Sequence, residues 1–406
     1  MAEFLKLHLP TDALDLFFRH LPPVQVQAEL LPTYAALGRV LASDVLAEEA
    51  LPAFARSSVD GYAVRAADTF GASDSLPAYL SVVGEVPMGA APGFVLQRGQ
   101  AALIHTGGML PQGADAVVML EYTQAARADE VEVLRAAGVG ENVLQVGEDV
   151  RPGDCVLKAG TLLRAAQIGG LLALGKLEVA VALRPQFGIL STGDEVVPVT
   201  QKPAPGQVRD INTGALTALI EQFGGVAKHY PIVPDRAEAL EAALRQARAE
   251  NDAVIITAGS SASVRDLTAD VIQQMGAPGV LVHGVNIRPG KPTILAVCDG
   301  QPIIGLPGNP VSALVIARLF VAPLVQRLLG MAAQPWPLRV ARLTLNIPSQ
   351  AGREDYVPVR LLGNEAEPIF FKSNLIFTLA QADGLVRIPA DATGLEAGTI
   401  VDVFLI

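Results

Sequence analysis

Nine consecutive residues, Gly305-Leu306-Pro307-Gly308-Asn309-Pro310-Val311-Ser312-Ala313, have the composition of a strand-to-helix turn that can receive an anion. Pro302-Ile303-Ile304 before them reads as a buried strand, and Val311 to Leu329 has the apolar spacing and length of a helix. Gly308 permits backbone conformations closed to other residues, Pro307 and Pro310 fix their own φ, and Asn309 or Ser312 is placed to cap the first helical amides. Such a turn directs unpaired N–H groups and the positive end of a helix dipole at one point, which suits a phosphate. Pro-Gly-Asn-Pro also serves as plain punctuation, so the turn alone leaves both readings open.

Two further small-residue loops follow apolar runs: Leu190-Ser191-Thr192-Gly193-Asp194-Glu195 and Ile256-Thr257-Ala258-Gly259-Ser260-Ser261. In an open parallel sheet such loops share the edge beyond the carboxyl ends of the strands, where ligands bind. Three of them at one edge make a phosphate or nucleotide pocket as good a reading as plain structural turns. Neither Gly-x-Gly-x-x-Gly nor Gly-x-x-x-x-Gly-Lys-Ser/Thr occurs, which argues against dinucleotide and Walker-type sites. Carboxylates recur nearby: Asp194 and Glu195, Asp210 before a cap-like Asn212, then Asp235 and Asp266. Acids beside a phosphate repel it unless Mg²⁺ lies between them. Asp210 and Asp235, each taken singly, read first as helix caps or solvated acids.

The elements that must position these residues alternate strand and helix from Leu183 to Gly330, which predicts an open, mostly parallel α/β sheet over 183–330. Short β-rich pieces with many Gly and Pro fill 47–144 and read as an inserted β-rich domain. Thr11 to His20, Thr33 to Gly38 and Ala165 to Leu174 read as helices, so 1–46 together with 145–182 forms a helical or linker domain. Segment 331–406 carries strands separated by turns, as in a small β-barrel. With 406 residues the chain exceeds the roughly 250–300 that one core supports. A net charge of −11 argues against nucleic acid and anionic membranes as partners. Cys155 and Cys298 form no disulfide framework or zinc motif, and no export signal or membrane anchor is read, so a cytoplasmic protein is expected.

The order of motifs then identifies a family. Ser57-Ser58-Val59-Asp60-Gly61-Tyr62-Ala63, Thr106-Gly107, Pro111-x-Gly113-Ala114-Asp115-Ala116-Val117-Val118-Met119-x-Glu121 and Gly147-Glu148-Asp149 come first. Ser191 to Glu195, Asp210-Ile211-Asn212, Pro289-Gly290-Lys291-Pro292, Gly305 to Ser312, Gly352-Arg353 and Ala382-Asp383-Gly384-Leu385 follow. From about Val40 onward the chain resembles the molybdopterin molybdotransferases, the MoeA proteins and the E domain of gephyrin. The resemblance implies a MogA-like α/β domain, the insertion, the C-terminal barrel, and a homodimer with its active site between protomers. It implies an enzyme that inserts molybdate into adenylylated molybdopterin, releasing AMP with Mg²⁺.

Carried over by position, Asp60, Thr106, Asp149, Glu195, Asp235, Asp266, Arg353 and Ser373 match family active-site residues. Glu195, Asp235 and Asp266 are expected to handle Mg²⁺, while Asp60, Thr106 and Asp149 approach from the partner protomer. Ser191, Thr192, Gly193, Gly259, Ser260, Arg265, Pro307, Gly308, Asn309 and Ser312 are the expected substrate wall, with Arg288, Lys291 and Arg353 holding the anion. Arg353 also has Glu354 and Asp355 as neighbours to pair with.

Some positions depart from the family pattern. Leu144 stands where Arg is usual, Ser260-Ser261 interrupts a loop usually rich in glycine, and Gly284 and Arg288 replace lysines. These changes remove positive charge and define alternatives to the transferase: a pterin- or nucleotide-binding scaffold, or a hydrolase of a related nucleotide.

Overall fold

A computed structural model of the chain describes residues 7–127, 129–258, 262–332, 334–370 and 372–406, with only the backbone of 262–265. The expectations for Gly259, Ser260 and Ser261, and for the Arg265 side chain, lie outside the described residues. Two compact units emerge. One runs up to Ala42 and takes in Ala159–Arg164 and Val179–Ile406; the other combines Ser43–Lys158 with Ala165–Glu178.

The first unit is built around an open sheet of six strands: β1 (Gln186–Ser191), β2 (Val226–His229), β3 (Ala253–Ala258), β4 (Pro278–His283), β5 (Ile294–Cys298) and β6 (Gln301–Pro307). Their order is β2-β1-β3-β6-β5-β4; β2, β1, β3 and β6 run parallel, and the β6-β5-β4 end is antiparallel. Both faces are covered, which is why these strands read as continuous apolar runs. Phe187, Ile189, Ala253 and Ile255 face one core, whereas Leu190, Val254 and Ile256 face the other.

The N-terminal helix Pro10–His20 packs Ala13 and Phe17 into one core of the sheet, and four more helices cover it: α1 (Asn212–Gln222), α2 (Ala237–Glu250), α3 (Ala262–Gln273) and α4 (Pro310–Leu328). By length and apolarity α4 could cross a membrane, but it is a core helix, with Phe320, Val321 and Leu324 fully buried. Its middle, Ala317–Val321, widens into a π-helical turn. The predicted helix over Thr33–Gly38 is only a 3₁₀ turn, Thr33–Ala35. There the chain turns back so that the Gly38 amide bonds the Leu163 carbonyl at 2.8 Å.

The C-terminal strands β7 (Leu338–Leu343), β8 (Glu354–Leu362), β9 (Glu365–Pro368), β10 (Gly384–Ile388) and β11 (Ile400–Leu405) close a five-stranded barrel in the order β8-β9-β7-β11-β10, with β10 pairing back to β8. A two-residue strand, Ile287–Arg288, adds to the start of β8 in parallel, Ile287 opposite Glu354 and Arg288 opposite Asp355. It leads directly into the Pro289–Pro292 loop. Gly290 there has φ +112°, and a Cβ on it would lie 2.4 Å from Ile316 Cγ1, so only glycine lets the loop press against α4.

The second unit holds a six-stranded sheet in the order Ala116–Met119, Gly61–Val64, Gln100–Ile104, Ala78–Glu85, Glu130–Val133, Thr123–Arg127. The helix Ala165–Ala173 belongs to this unit.

Candidate functional site

Parallel pairing fixes the site edge. Ser191 stands opposite Thr257, Thr257 opposite Leu306 and Ala258 opposite Pro307, so the loops after β1, β3 and β6 emerge at one level. The Thr192 amide bonds the Thr257 carbonyl at 2.9 Å, and the Gly193 amide bonds that of Val233 at 3.2 Å, which ties the loop after β1 to its neighbours. A cleft of about 400 Å³ opens here, lined by Ser191, Thr192, Glu195, Asn212, Gly308 and Asn309, with Thr257, Asp210 and Asn374 beside them.

Its polar groups fall into two kinds. Some are satisfied internally: Asp210 accepts the Thr213 hydroxyl at 2.6 Å and the Thr213 amide at 3.1 Å, so it caps α1. Asn309 caps nothing with its side chain, contrary to expectation, because its Nδ2 donates to Ser373 Oγ at 3.0 Å. The Val311 amide donates to the Ser373 carbonyl at 3.1 Å, so the barrel loop occupies one of the helix-start amides foreseen for an anion. Ser312 is buried.

Others are left open. Thr192 Oγ1 and Asn212 Oδ1 in the cleft, and Asp235 Oδ1 beside Thr192, are buried without a hydrogen-bond partner. Asn212 uses only its Nδ2, which donates to the Gly308 carbonyl at 2.8 Å. The Thr192 hydroxyl approaches Asp235 but closes no hydrogen bond of good geometry. Burial, then the charges of Asp194 and Glu195, push the Asp235 carboxyl above the usual aspartate range. Its own amide donates to Asp194 Oδ1 at 3.3 Å. Unpartnered oxygens beside clustered acids match the donor chemistry of a hard divalent cation such as Mg²⁺.

The expected acids are not assembled into a ready cage. Asp194 and Glu195 are exposed beside Asp235, Asp266 is exposed on α3, and no group of three or more metal-ligating side chains converges among the described residues. The expected cations are also elsewhere. Arg288, Lys291 and Arg353 do not line the cleft. Arg353 Nε donates to Asp355 Oδ1 at 2.9 Å, and Arg288 Nη1 lies 3.5 Å from Asp355 Oδ2, which also accepts the Ser349 hydroxyl at 2.9 Å. Lys291 is exposed. Gly284 has φ +102°, a conformation in which the family's lysine would be strained.

In the second unit, Asp60 Oδ1 accepts the Thr106 amide at 2.7 Å and its hydroxyl at 3.2 Å. Those bonds hold the Asp60 carboxyl below its ordinary range, and His105, between Asp60 and Glu85 at 3.6 and 3.1 Å, helps. Asp149 lies in a separate cleft of about 550 Å³ with Arg56 and Leu144, and Arg56 stands directly across the strand pair from Leu144. His105, Arg56 and Asn374 were missed from sequence, and Asp355 was read only as a neighbour for Arg353. Only His105, adjacent to Thr106, carried a local signal.

The chain is similar to known proteins along nearly its whole length. Residues 10–175 match the MoeA N-terminal region (domain I and II), 188–327 the "probable molybdopterin binding domain", and 340–406 the MoeA C-terminal region (domain IV). The chain is 37% identical, over 91% of its length and 90% of the other's, to a Methanocaldococcus jannaschii protein named for molybdopterin biosynthesis. It is 35% identical to a molybdopterin molybdenumtransferase of Nostoc sp., over 95% of this chain and 91% of that one. The crystal structure of a molybdopterin biosynthesis MoeA protein from Pyrococcus horikoshii superimposes with a TM-score of 0.87 at 32% identity, over 99% of this chain and 100% of the other. The chain belongs to the MoeA family and is a homologue of the molybdopterin molybdenumtransferases of molybdenum cofactor biosynthesis.

Proposed function

We propose that this MoeA-family protein inserts molybdate into adenylylated molybdopterin and releases AMP. The observation that carries the reading is the set of unpartnered oxygens on Thr192, Asn212 and Asp235 at the edge where three loops meet. Ser191, Thr192, Thr257, Gly308 and Asn309 form the wall against which the pterin phosphate rests. Asp235 and Glu195, with Asp266 from α3, are the acids that would hold Mg²⁺, which when bound would neutralise charge on the phosphoanhydride. The pterin supplies the dithiolene sulfurs, so the protein's task is to position and to stabilise charge.

Arg353 and Arg288, steadied by Asp355, and Lys291 stand outside the cleft, so their part is to attract incoming molybdate by charge and not to line its site. Asp60 with Thr106, and Asp149 with Arg56, serve the site of a second protomer in a homodimer. Cys155 and Cys298 are free thiols, which suits a reducing cytoplasm.

The test is a single incubation of purified protein with adenylylated molybdopterin, molybdate and Mg²⁺. AMP and active cofactor should appear together. AMP without cofactor makes the protein a hydrolase, and binding without turnover makes it a scaffold.

A further inference from the structure

A second cavity, of about 930 Å³, lies in the first unit and shares no residue with the cleft just described. Arg318 lines it from the π-helical turn of α4. The guanidinium carbon sits 4.6 Å from the centroid of the Phe223 ring and 4.4 Å from that of Trp336. No described residue offers Arg318 an ion pair or a hydrogen-bond acceptor, Glu221 on the same wall included. Burial alone draws its pKa down to about 10.

A half-buried cation with no acid paired to it has lost part of its hydration, and two aromatic rings offset only part of that cost. The rings engage the guanidinium while its N–H donors stay available, and those donors suit the oxygens of a carboxylate or phosphate. The remaining wall is apolar at Leu219, Val315 and Leu379 and polar at Gln222 and Gln326, with Arg164 and Glu221 also on it. Its volume falls within the range of small-molecule sites. We propose that this cavity binds a small molecule with an aromatic or aliphatic body and one terminal carboxylate or phosphate, the anion resting on Arg318.

Trp336 is the only tryptophan in the chain, so its emission reports on the site directly. Full-length protein titrated with phenyl phosphate or benzoate should show a saturable change in emission, with half-saturation below about 1 mM. The stronger of the two probes tells phosphate from carboxylate. Benzyl alcohol should leave the emission unchanged. Arg318→Gln should weaken the response at least tenfold, and Arg318→Lys should retain part of it.

Should Arg318→Gln fold poorly, thermal melting of the unaltered protein replaces it: the anionic probes should raise Tm and the alcohol should not. No saturation by 10 mM, an equal response to benzyl alcohol, or a full response from a folded Arg318→Gln protein overturns the proposal. So does emission that follows protein concentration instead of probe, since a second copy would then cover the cavity.

Discussion

Asp355 and Asp235 are the same residue in opposite surroundings. Asp355 is the more deeply buried, at 2% exposure, yet its carboxylate accepts from Arg353 and Ser349 and faces Arg288. Asp235 is less buried, one of its oxygens has no donor, and its nearest charges are acids. Depth alone would rank their frustration the other way. The deciding factor is whether folding delivers donors, so a completed acid holds structure and an incomplete one waits for a partner from outside.

The largest test of this contrast is Asp355→Ala. Urea denaturation should show a loss of about 2–4 kcal/mol, somewhat below a fully buried pair because Arg288 is 55% exposed. A loss under about 1 kcal/mol would break the comparison. Asp235→Asn should behave inversely, cutting AMP release at least about 100-fold with circular dichroism unchanged. Turnover near the original rate would take Asp235 out of the site.

Gly284→Lys asks whether the missing charge can be restored at its family position. The left-handed backbone at Gly284 predicts a cost of roughly 1–2 kcal/mol in urea, with no gain in turnover. The smallest effect is in pH. Because the Asp235 pKa is raised on folding, the protein binds that proton more tightly than the unfolded chain, and stability falls as pH rises through the raised value. Asp235→Asn escapes that fall. Its Tm should exceed the parent's by about 1–2 °C at pH 8, and the gap should close below the ordinary aspartate value of 3.8. A gap of the same size at both pH values would mean that neither burial nor the neighbouring acids raise the Asp235 carboxyl.

The sheet was legible because β1, β3 and β6 are apolar runs between small-residue turns, a pattern few other structures produce. The meeting of their loops followed from the parallel order alone. The π-helical turn was not legible, since Ala317-Arg318-Leu319-Phe320-Val321 contains neither Pro nor Gly and keeps helical spacing. Asp355 was read as a surface partner for Arg353. Its burial and its contact with Arg288 depend on pairing with a strand far earlier in the chain, which no local pattern encodes. Ser373 likewise meets Asn309 only after the barrel has closed.

One feature of the sheet bears on the chain's life before folding is complete. Unlike the closed barrel, the open sheet ends in two strands, β2 and β4, whose outer amides and carbonyls could recruit a neighbouring polypeptide into an aggregate. β2 is four residues long and carries Lys228, paired with Glu250 at 2.9 Å. β4 starts at Pro278 and loses register between Val280 and Val282. Shortness and charge at one border, proline and a bulge at the other, make both poor templates for a stranger's strand. A chain that is half hydrophobic can therefore expose its sheet during synthesis with less risk of precipitation.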